Sequence, residues 1–397
     1  ATPLTDRVFW VGAIDWGVRD FHGYLTSRGS TYNAYLILAD KVTLIDTVKA
    51  PFKREMLQRI ASVVDPRRID YIISNHTEMD HSGSLPEVIA AANPERVFAS
   101  TRGVEALGRH FRIERDIEAV KEGDSLSLGN ATLAFVETPM LHWPDSMFTY
   151  LAEERILFSS DAFGMHLAAS ERFADEIAPA ILKDEAAKYY ANILLPLSPL
   201  VGKLLDKVTK LNLPIDVIAP SHGPIWRKNI AEMLGYYASW AQGQRRNRAV
   251  VAYDTMWGST DLMARAVGDG LATAGTSVKL MPLRSCHRSD VATELLDAGA
   301  LIVGSPCLNG GIFPTVADVL TYLRGLKPRN LVGAAFGSYG WSGEAVGQIT
   351  DALREMKVDV VAEGVRIKYV PDAEALMQCF ELGAVVAEKL KGLPAPD

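Results

Sequence analysis

The sequence predicts an α/β protein of two consecutive domains, and three observations carry that expectation. Residues 249–397 alternate strand-like and helix-like stretches without exception, which is the pattern of an open, mostly parallel sheet covered on both faces. Residues 1–240 mix hairpin-like strand pairs with helices, which suits a layered α/β domain with some antiparallel pairing. Between them lies the polar run AQGQRRNR at 241–248, so the domains are expected at 1–248 and 249–397.

Each element follows from local composition. In the first domain, runs rich in Val, Ile, Tyr and Phe at 7–13, 32–39, 41–46, 70–74, 131–137, 147–151 and 216–219 read as strands. The pair meeting near Asp40 reads as a hairpin, and helices are expected over 51–63, 186–207 and 229–240. In the second domain, strands are expected at 249–253, 276–281, 300–304, 331–336 and 358–363. Helices are expected near 260–270, 289–296, 314–323, 343–356 and 372–393. Ligands of such sheets bind outside the C-terminal ends of the strands.

Composition narrows the function. The chain has 397 residues, 48% of them hydrophobic and 22% charged, enough for two real cores and unlike a disordered chain. No run approaches a membrane span, and the N-terminal ATPLTDRVFW has no secretory pattern. A net charge of −7 with no dense basic stripe argues against nucleic acid. Three widely spaced cysteines, Cys286, Cys307 and Cys379, form neither a disulfide framework nor a thiolate metal site. A reducing cytoplasm is therefore the expected compartment, and any metal must sit on nitrogen and oxygen.

Eight histidines occur, and two fall in SNHTEMDHSG at 74–83, directly after an apolar run. His76, Glu78, Asp80 and His81 are candidate ligands there, and alternate residues of an extended loop point the same way. The plain alternative is a polar turn with capping groups. His142 in PMLHWPDS, Asp161 after 156–159 and His222 in APSHGPIW also each follow an apolar run. Loops on one rim of a sheet core can aim such side chains at one centre. Four imidazoles and three carboxylates suit iron or manganese, and ligand type alone leaves zinc open. His166, five residues after Asp161, is expected to line the outer pocket, whereas His110 and His287 have no supporting context.

The His-x-Glu-x-Asp-His run resembles the metallo-β-lactamase superfamily with a carboxylate in the second position. The whole set, with DFHG at 20–23 and LHWPDSM at 141–147, resembles the flavo-diiron protein family over essentially the full chain. The resemblance implies a metallo-β-lactamase-like αββα sandwich followed by a flavodoxin-like, doubly wound five-stranded parallel sheet. It implies two irons: His76, Glu78 and His142 hold one, Asp80, His81 and His222 the other, and Asp161 bridges them. His22 resembles a catalytic histidine near the open face.

Three loops of the second domain carry the flavin expectation. YDTMWGST at 253–260 lies between strand and helix, where hydroxyls and backbone N–H groups can cradle a phosphate. It lacks a Walker lysine and a GxGxxG run, so a monophosphate such as that of FMN remains. SPCLNGG at 305–311 and FGSYGWSGE at 336–344 offer glycines for close approach and aromatic rings to flank a flat ligand. Together the loops resemble flavodoxin. The expected contacts are Thr255, Met256, Trp257, Gly258, Ser259 and Thr260; Ser305, Pro306, Cys307, Leu308, Asn309 and Gly310; and Phe336, Gly337, Ser338, Tyr339, Gly340 and Trp341.

The resemblance implies an oxidoreductase that passes electrons through FMN to a non-haem diiron site. That site reduces O₂ to water, NO to N₂O, or both. It implies a separate donor, rubredoxin or a reduced deazaflavin, since no rubredoxin-like cysteine pattern occurs in the chain. It also implies a head-to-tail homodimer, which could pair again as a dimer of dimers. The rival readings are a metal-dependent hydrolase with an accessory flavodoxin-like domain and an electron carrier with a vestigial metal site. Glu78 and the three flavin loops count against the first, and the nearly complete ligand set against the second.

Overall fold

The computed structural model describes residues 1–244 and 246–392. Arg245, inside the expected boundary run, and Leu393, the expected end of the last helix, lie outside the described residues together with 394–397. The chain forms two compact units. The first comprises Ala1–His22, Thr26–Tyr189 and Pro199–Ala238; the second comprises Gly23–Leu25, Tyr190–Ser198 and Ser239–Asp397.

The first unit is built on two sheets. One has seven strands in the order Thr2–Pro3, Val8–Trp10, Tyr35–Ile37, Thr43–Ile45, Tyr71–Ser74, Arg96–Ser100 and Glu118–Val120. The other has five, Ser125–Ser127, Thr132–Glu137, Met147–Leu151, Ile156–Phe158 and Val217–Ala219. The hairpin expected near Asp40 is present, as the antiparallel pair Tyr35–Ile37 and Thr43–Ile45.

Strand alternation explains the layers. Ile45, Ile73 and Phe98 of the larger sheet share a core with Leu133, Phe135, Met147 and Phe158 of the smaller one. Their sequence neighbours Leu44, Ile72 and Val97 point the other way, onto Met56, Ile60, Leu85, Val88 and Leu107 of the covering helices. Each such buried side chain contributes about 1.5–3 kcal/mol. A one-residue slip in register would turn all of them to the wrong face.

Two expectations change here. Strands at Arg96–Ser100, Glu118–Val120 and Ser125–Ser127 lie outside the expected set. The single helix expected over 186–207 is interrupted: helix Pro179–Tyr189 passes through a π-helical turn at Tyr190–Leu194 and a 3₁₀ turn at Leu195–Leu197 into helix Ser198–Leu211. Pro196 has no N–H for the ladder, and its ring opposes the carbonyl four residues back. Pro199 is tolerated because it enters at the first turn of the next helix.

The second unit is a parallel sheet in the order Ser277–Pro282, Arg248–Tyr253, Ala300–Gly304, Val332–Tyr339, with Asp359–Val360 and Val365–Lys368 both on the last edge. Val251, Ile302 and Ala334 pack one face against Met263, Val267, Leu382 and Val386 of helices Ser259–Thr273 and Ala373–Lys391. The expected strand over 358–363 is split in two. Residues 362–364 leave the ladder where Gly364 passes so close to the helix Glu344–Glu355 that a Cβ there would lie 2.2 Å from Val346 Cγ1. Strand Val332–Tyr339 runs three residues beyond the expected Phe336, so Gly337, Ser338 and Tyr339 belong to a strand end rather than a loop. Among the described residues, no helix is long and apolar enough to cross a membrane.

Candidate metal centre and flavin rim

The seven expected ligands converge within the first unit. His76 and Glu78 leave strand Tyr71–Ser74, and Asp80 and His81 lie on the short helix Met79–Ser82. His142 lies between strands Thr132–Glu137 and Met147–Leu151, Asp161 follows Ile156–Phe158, and His222 follows Val217–Ala219. Both sheets thus deliver their loops to one rim. The side chains form two groups able to hold a metal: His76, Glu78, His142 and Asp161, and separately Asp80, His81 and His222.

Asp161 faces both groups. Its Oδ2 lies 3.1 Å from His142 Nε2 and 3.5 Å from His76 Nε2. Its Oδ1 lies 3.1 Å from His81 Nε2 and 3.5 Å from His222 Nε2. Glu78 Oε2 is 3.2 Å from His142 and 3.4 Å from His76, and Asp80 Oδ2 is 3.1 Å from His222. These atoms are near one another but poorly aligned as hydrogen bonds. His76 Nε2, His81 Nε2, Asp161 Oδ1 and both Asp80 oxygens are buried without a hydrogen-bond partner. Such groups cost about 1–3 kcal/mol each unless something else satisfies them. Two dications would satisfy all of them, so the donor set fits a metal pair.

The electrostatics follow from the same crowding of carboxylates and imidazoles. Burial pulls the His76 imidazole down, but the hydrogen bond to Asp145 and the neighbouring carboxylates of Glu78 and Asp161 carry it up to about 10. Burial likewise opposes the charge on His142, yet the adjacent carboxylates of Asp161 and Glu78 raise it to about 10. For Asp161, burial would raise the carboxyl, but His81 and His142 hold it well below the ordinary range. The carboxylates therefore stay ionised and available as ligand oxygens.

The tautomers are set from outside the centre. His76 Nδ1 lies 3.0 Å from Asp145 Oδ2, and His222 Nδ1 lies 2.6 Å from the Thr31 carbonyl, which leaves each Nε2 for the centre. Asp145 was not anticipated, although it stands three residues after His142 in the LHWPDSM run. His22, at positive φ, brings Nε2 to 3.3 Å from Glu78 Oε1 with its side chain 77% exposed, at the mouth of the site. His166 is buried, with Nδ1 2.8 Å from Ser30 Oγ and its ring 4.7 Å from that of His222. The two histidines left aside have local partners: His110 Nδ1 lies 3.1 Å from the Thr77 carbonyl, and the His287 side chain accepts from the Ser289 amide to cap helix Arg288–Leu295.

The expected flavin residues gather at the C-terminal strand ends of the second unit. The first loop runs into helix Ser259–Thr273, whose N-cap is Gly258 at φ 93°, with no side-chain cap. The amides of Met256, Trp257, Ser259 and Thr260 find no acceptor among the described residues. That arrangement fits an external phosphate. Thr260 Oγ1 is 2.9 Å from Ser338 Oγ, tying the first loop to the third segment.

The second loop is a small hairpin. Cys307–Leu308 pairs with Gly311–Ile312 around Asn309 and Gly310, both at positive φ. Trp257 and Trp341 are 94% and 84% exposed, an unusual position for large rings unless they flank a ligand or partner. Phe336 and Ser305 are fully buried. A Cβ on Gly337 would lie 2.2 Å from the Ser305 carbonyl, so this glycine serves strand packing.

Comparisons with known proteins agree with both halves. The family model "ODP family beta lactamase" matches residues 31–223, and the flavodoxin model matches residues 251–383. The chain is 48% identical to a nitric oxide reductase of Moorella thermoacetica, covering 98% of each. It is 44% identical to the solved rubredoxin oxygen:oxidoreductase of Desulfovibrio gigas, at a TM-score of 0.96 and 98% of each chain. It is 36% identical to the flavodiiron protein of Giardia intestinalis, at a TM-score of 0.95, over 98% of this chain and 96% of that one.

Proposed function

The chain belongs to the flavodiiron protein family, and from that premise we propose how its residues divide the work of an O₂ and NO reductase. The protein is an oxidoreductase with an FMN-binding flavodoxin unit and a diiron unit. When bound, FMN would supply one-electron transfer, and an iron pair would supply a site where the gas can be bound and reduced. The overall reactions are O₂ with four electrons and four protons to two waters, and two NO with two electrons and two protons to N₂O and water.

In this reading His76, Glu78 and His142 would hold one iron, and Asp80, His81 and His222 the other, with Asp161 shared between them. The observation that carries the assignment is the way its two carboxylate oxygens face the two groups separately. Asp145 and the Thr31 carbonyl keep the Nε2 atoms of His76 and His222 directed inward. His22, exposed beside Glu78, is our candidate for moving protons at the site.

In the other unit, residues 255–260 would hold the flavin phosphate. Residues 305–310 and 336–341 would border the isoalloxazine, with the exposed Trp257 and Trp341 as candidate aromatic flanks. Phe336 and Ser305, being buried, contribute through the backbone they support.

The electron donor in this reading is a separate rubredoxin, with a reduced deazaflavin as the other candidate. The name of a close relative, rubredoxin-oxygen oxidoreductase, supports the first. All proposed iron ligands lie in one unit and all proposed flavin contacts in the other. A head-to-tail homodimer, in which each subunit's flavin serves its partner's irons, is the proposed assembly. Three free thiols are consistent with the cytoplasm as the working compartment.

The test is an anaerobic assay of one preparation, containing iron and FMN, with reduced rubredoxin and each gas in turn. Consumption of O₂ or NO that depends on donor, iron and FMN is expected. Ester or amide hydrolysis without reductant, with no gas consumed, would overturn the reading.

A further inference from the structure

Behind the proposed phosphate loop stands a network whose side chains, Asp254, Arg284 and Thr315, are not among the expected flavin contacts. Asp254, the residue after strand Arg248–Tyr253, is 2% exposed. Its Oδ1 accepts the Thr255 amide at 2.7 Å and Arg284 Nε at 3.1 Å. Its Oδ2 accepts the Thr315 hydroxyl at 2.6 Å. Arg284, just past the neighbouring strand Ser277–Pro282, also donates to the carbonyls of Thr255 and Met256.

Those two carbonyls decide where the loop's amides point. In a trans peptide the C=O and the following N–H are directed oppositely. With the Thr255 and Met256 carbonyls turned to the guanidinium, the N–H groups of Met256 and Trp257 are turned away from it. These are two of the four loop amides that find no acceptor among the described residues. The other two, Ser259 and Thr260, open the helix behind Gly258.

We propose that Arg284, anchored by Asp254, is a positioning residue that pre-orders residues 255–260 to receive the phosphate monoester of the flavin nucleotide, without itself contacting that phosphate. The inference rests on the FMN reading above. The guanidinium's planar fork reaches one carboxylate and two carbonyls together, which a lysine ammonium on a flexible stem does less well. Ordering the loop before binding removes an entropic cost from the binding step.

The experiment strips FMN from the full-length protein and titrates the apoprotein with FMN and, separately, with riboflavin. It compares wild type, Arg284→Lys and Arg284→Ala at low and high salt. Arg284 has a side chain 59% exposed, so its replacement leaves the cores intact, and thermal unfolding of the apoproteins checks this. Arg284→Ala should weaken FMN binding about tenfold or more. It should leave riboflavin within about twofold, because riboflavin lacks the phosphate. The loss should persist at high salt, and Arg284→Lys should recover only part of it.

Unchanged FMN affinity, or equal losses for FMN and riboflavin, would overturn the proposal. So would a loss that vanishes at high salt, which is the behaviour of a surface charge attracting the phosphate directly. A wild-type chain that binds no FMN would overturn the flavin reading and this inference together. A wild type that binds FMN, with variants that bind it equally well, would overturn this inference alone.

Discussion

Nδ1 of His76 lies 3.0 Å from Oδ2 of Asp145, and the same oxygen accepts the Thr77 amide at 2.7 Å. One loop therefore supplies His142 to the centre and also orients His76, which comes from a strand of the other sheet.

The first prediction concerns that pair. Asp145→Ala should weaken metal binding about 10–100-fold at the group holding His76, Glu78 and His142. It should spare the group of Asp80, His81 and His222. Asp145→Asn, which keeps an acceptor oxygen, should recover part of the loss. A metal titration of chelator-stripped protein reads this as one weakened step out of two. Equal weakening of both steps would indicate general loosening instead.

Asp161→Asn should deplete metal while leaving flavin content nearly unchanged. The amide keeps the size of the side chain but has only one oxygen, and two groups of imidazoles face the existing pair of oxygens. Iron and FMN should be measured on the same sample. Parallel loss of both would contradict a local metal role.

Residues 249–397 expressed alone should fold and bind FMN but reduce neither gas. The fragment should also be less stable than the same unit in the full chain. Asn192, from the piece Tyr190–Ser198, donates to the Ser289 carbonyl at 3.1 Å and accepts from the Tyr322 hydroxyl at 2.8 Å. Losing such partners costs about 1–3 kcal/mol when the groups remain buried. Denaturant unfolding followed by flavin fluorescence measures it. A fragment that is compact yet unable to bind FMN would refute the assignment of the flavin loops to this domain.

Gas reduction should require two chains. One variant would carry His76→Asn and Asp161→Asn; the other would carry Gly258→Asp and Ser259→Asp, placing carboxylates at the proposed phosphate cradle. Each homodimer should be inactive, and the co-expressed heterodimer should regain part of the activity. An isolated heterodimer that stays inactive, or a fully active monomer, would defeat the crossed arrangement.

Glu185 offers a prediction on pH. Burial raises its carboxyl above the ordinary 4.5, and Lys188 and Arg28, the latter 3.0 Å away, only partly offset this. A folded-state pKa above the unfolded one means stability present at low pH and lost as pH rises through the folded value. Glu185→Gln should therefore compare more favourably with wild type at pH 8 than at pH 4. Chemical denaturation of metal-free protein at both pH values tests the sign, and the reverse order would show that the Arg28 pair outweighs burial.

Much of this protein is determined within short stretches of sequence. Ile45 and Leu44, or Ile73 and Ile72, face opposite sides of a sheet because side chains alternate along a strand. Where such runs stop, polar residues stand at the rim, and His76, His142, Asp161 and His222 were legible for that reason. The proline-broken helix after Tyr189 and the split last strand were legible only in part, because periodicity marks an element more clearly than its interruptions.

Only the tertiary structure decided the relationships that make the sites. Asp145 finds the amide of Thr77 across 68 positions, and Arg284 finds the Thr255 carbonyl across 29. It also decided that the two oxygens of Asp161 divide between two groups of ligands, and that Tyr190–Ser198 packs with the second unit. A hydrogen bond between distant segments leaves no periodic trace in either one. It exists because sheet register and loop path bring two groups within about 3 Å, and that distance belongs to the folded chain alone.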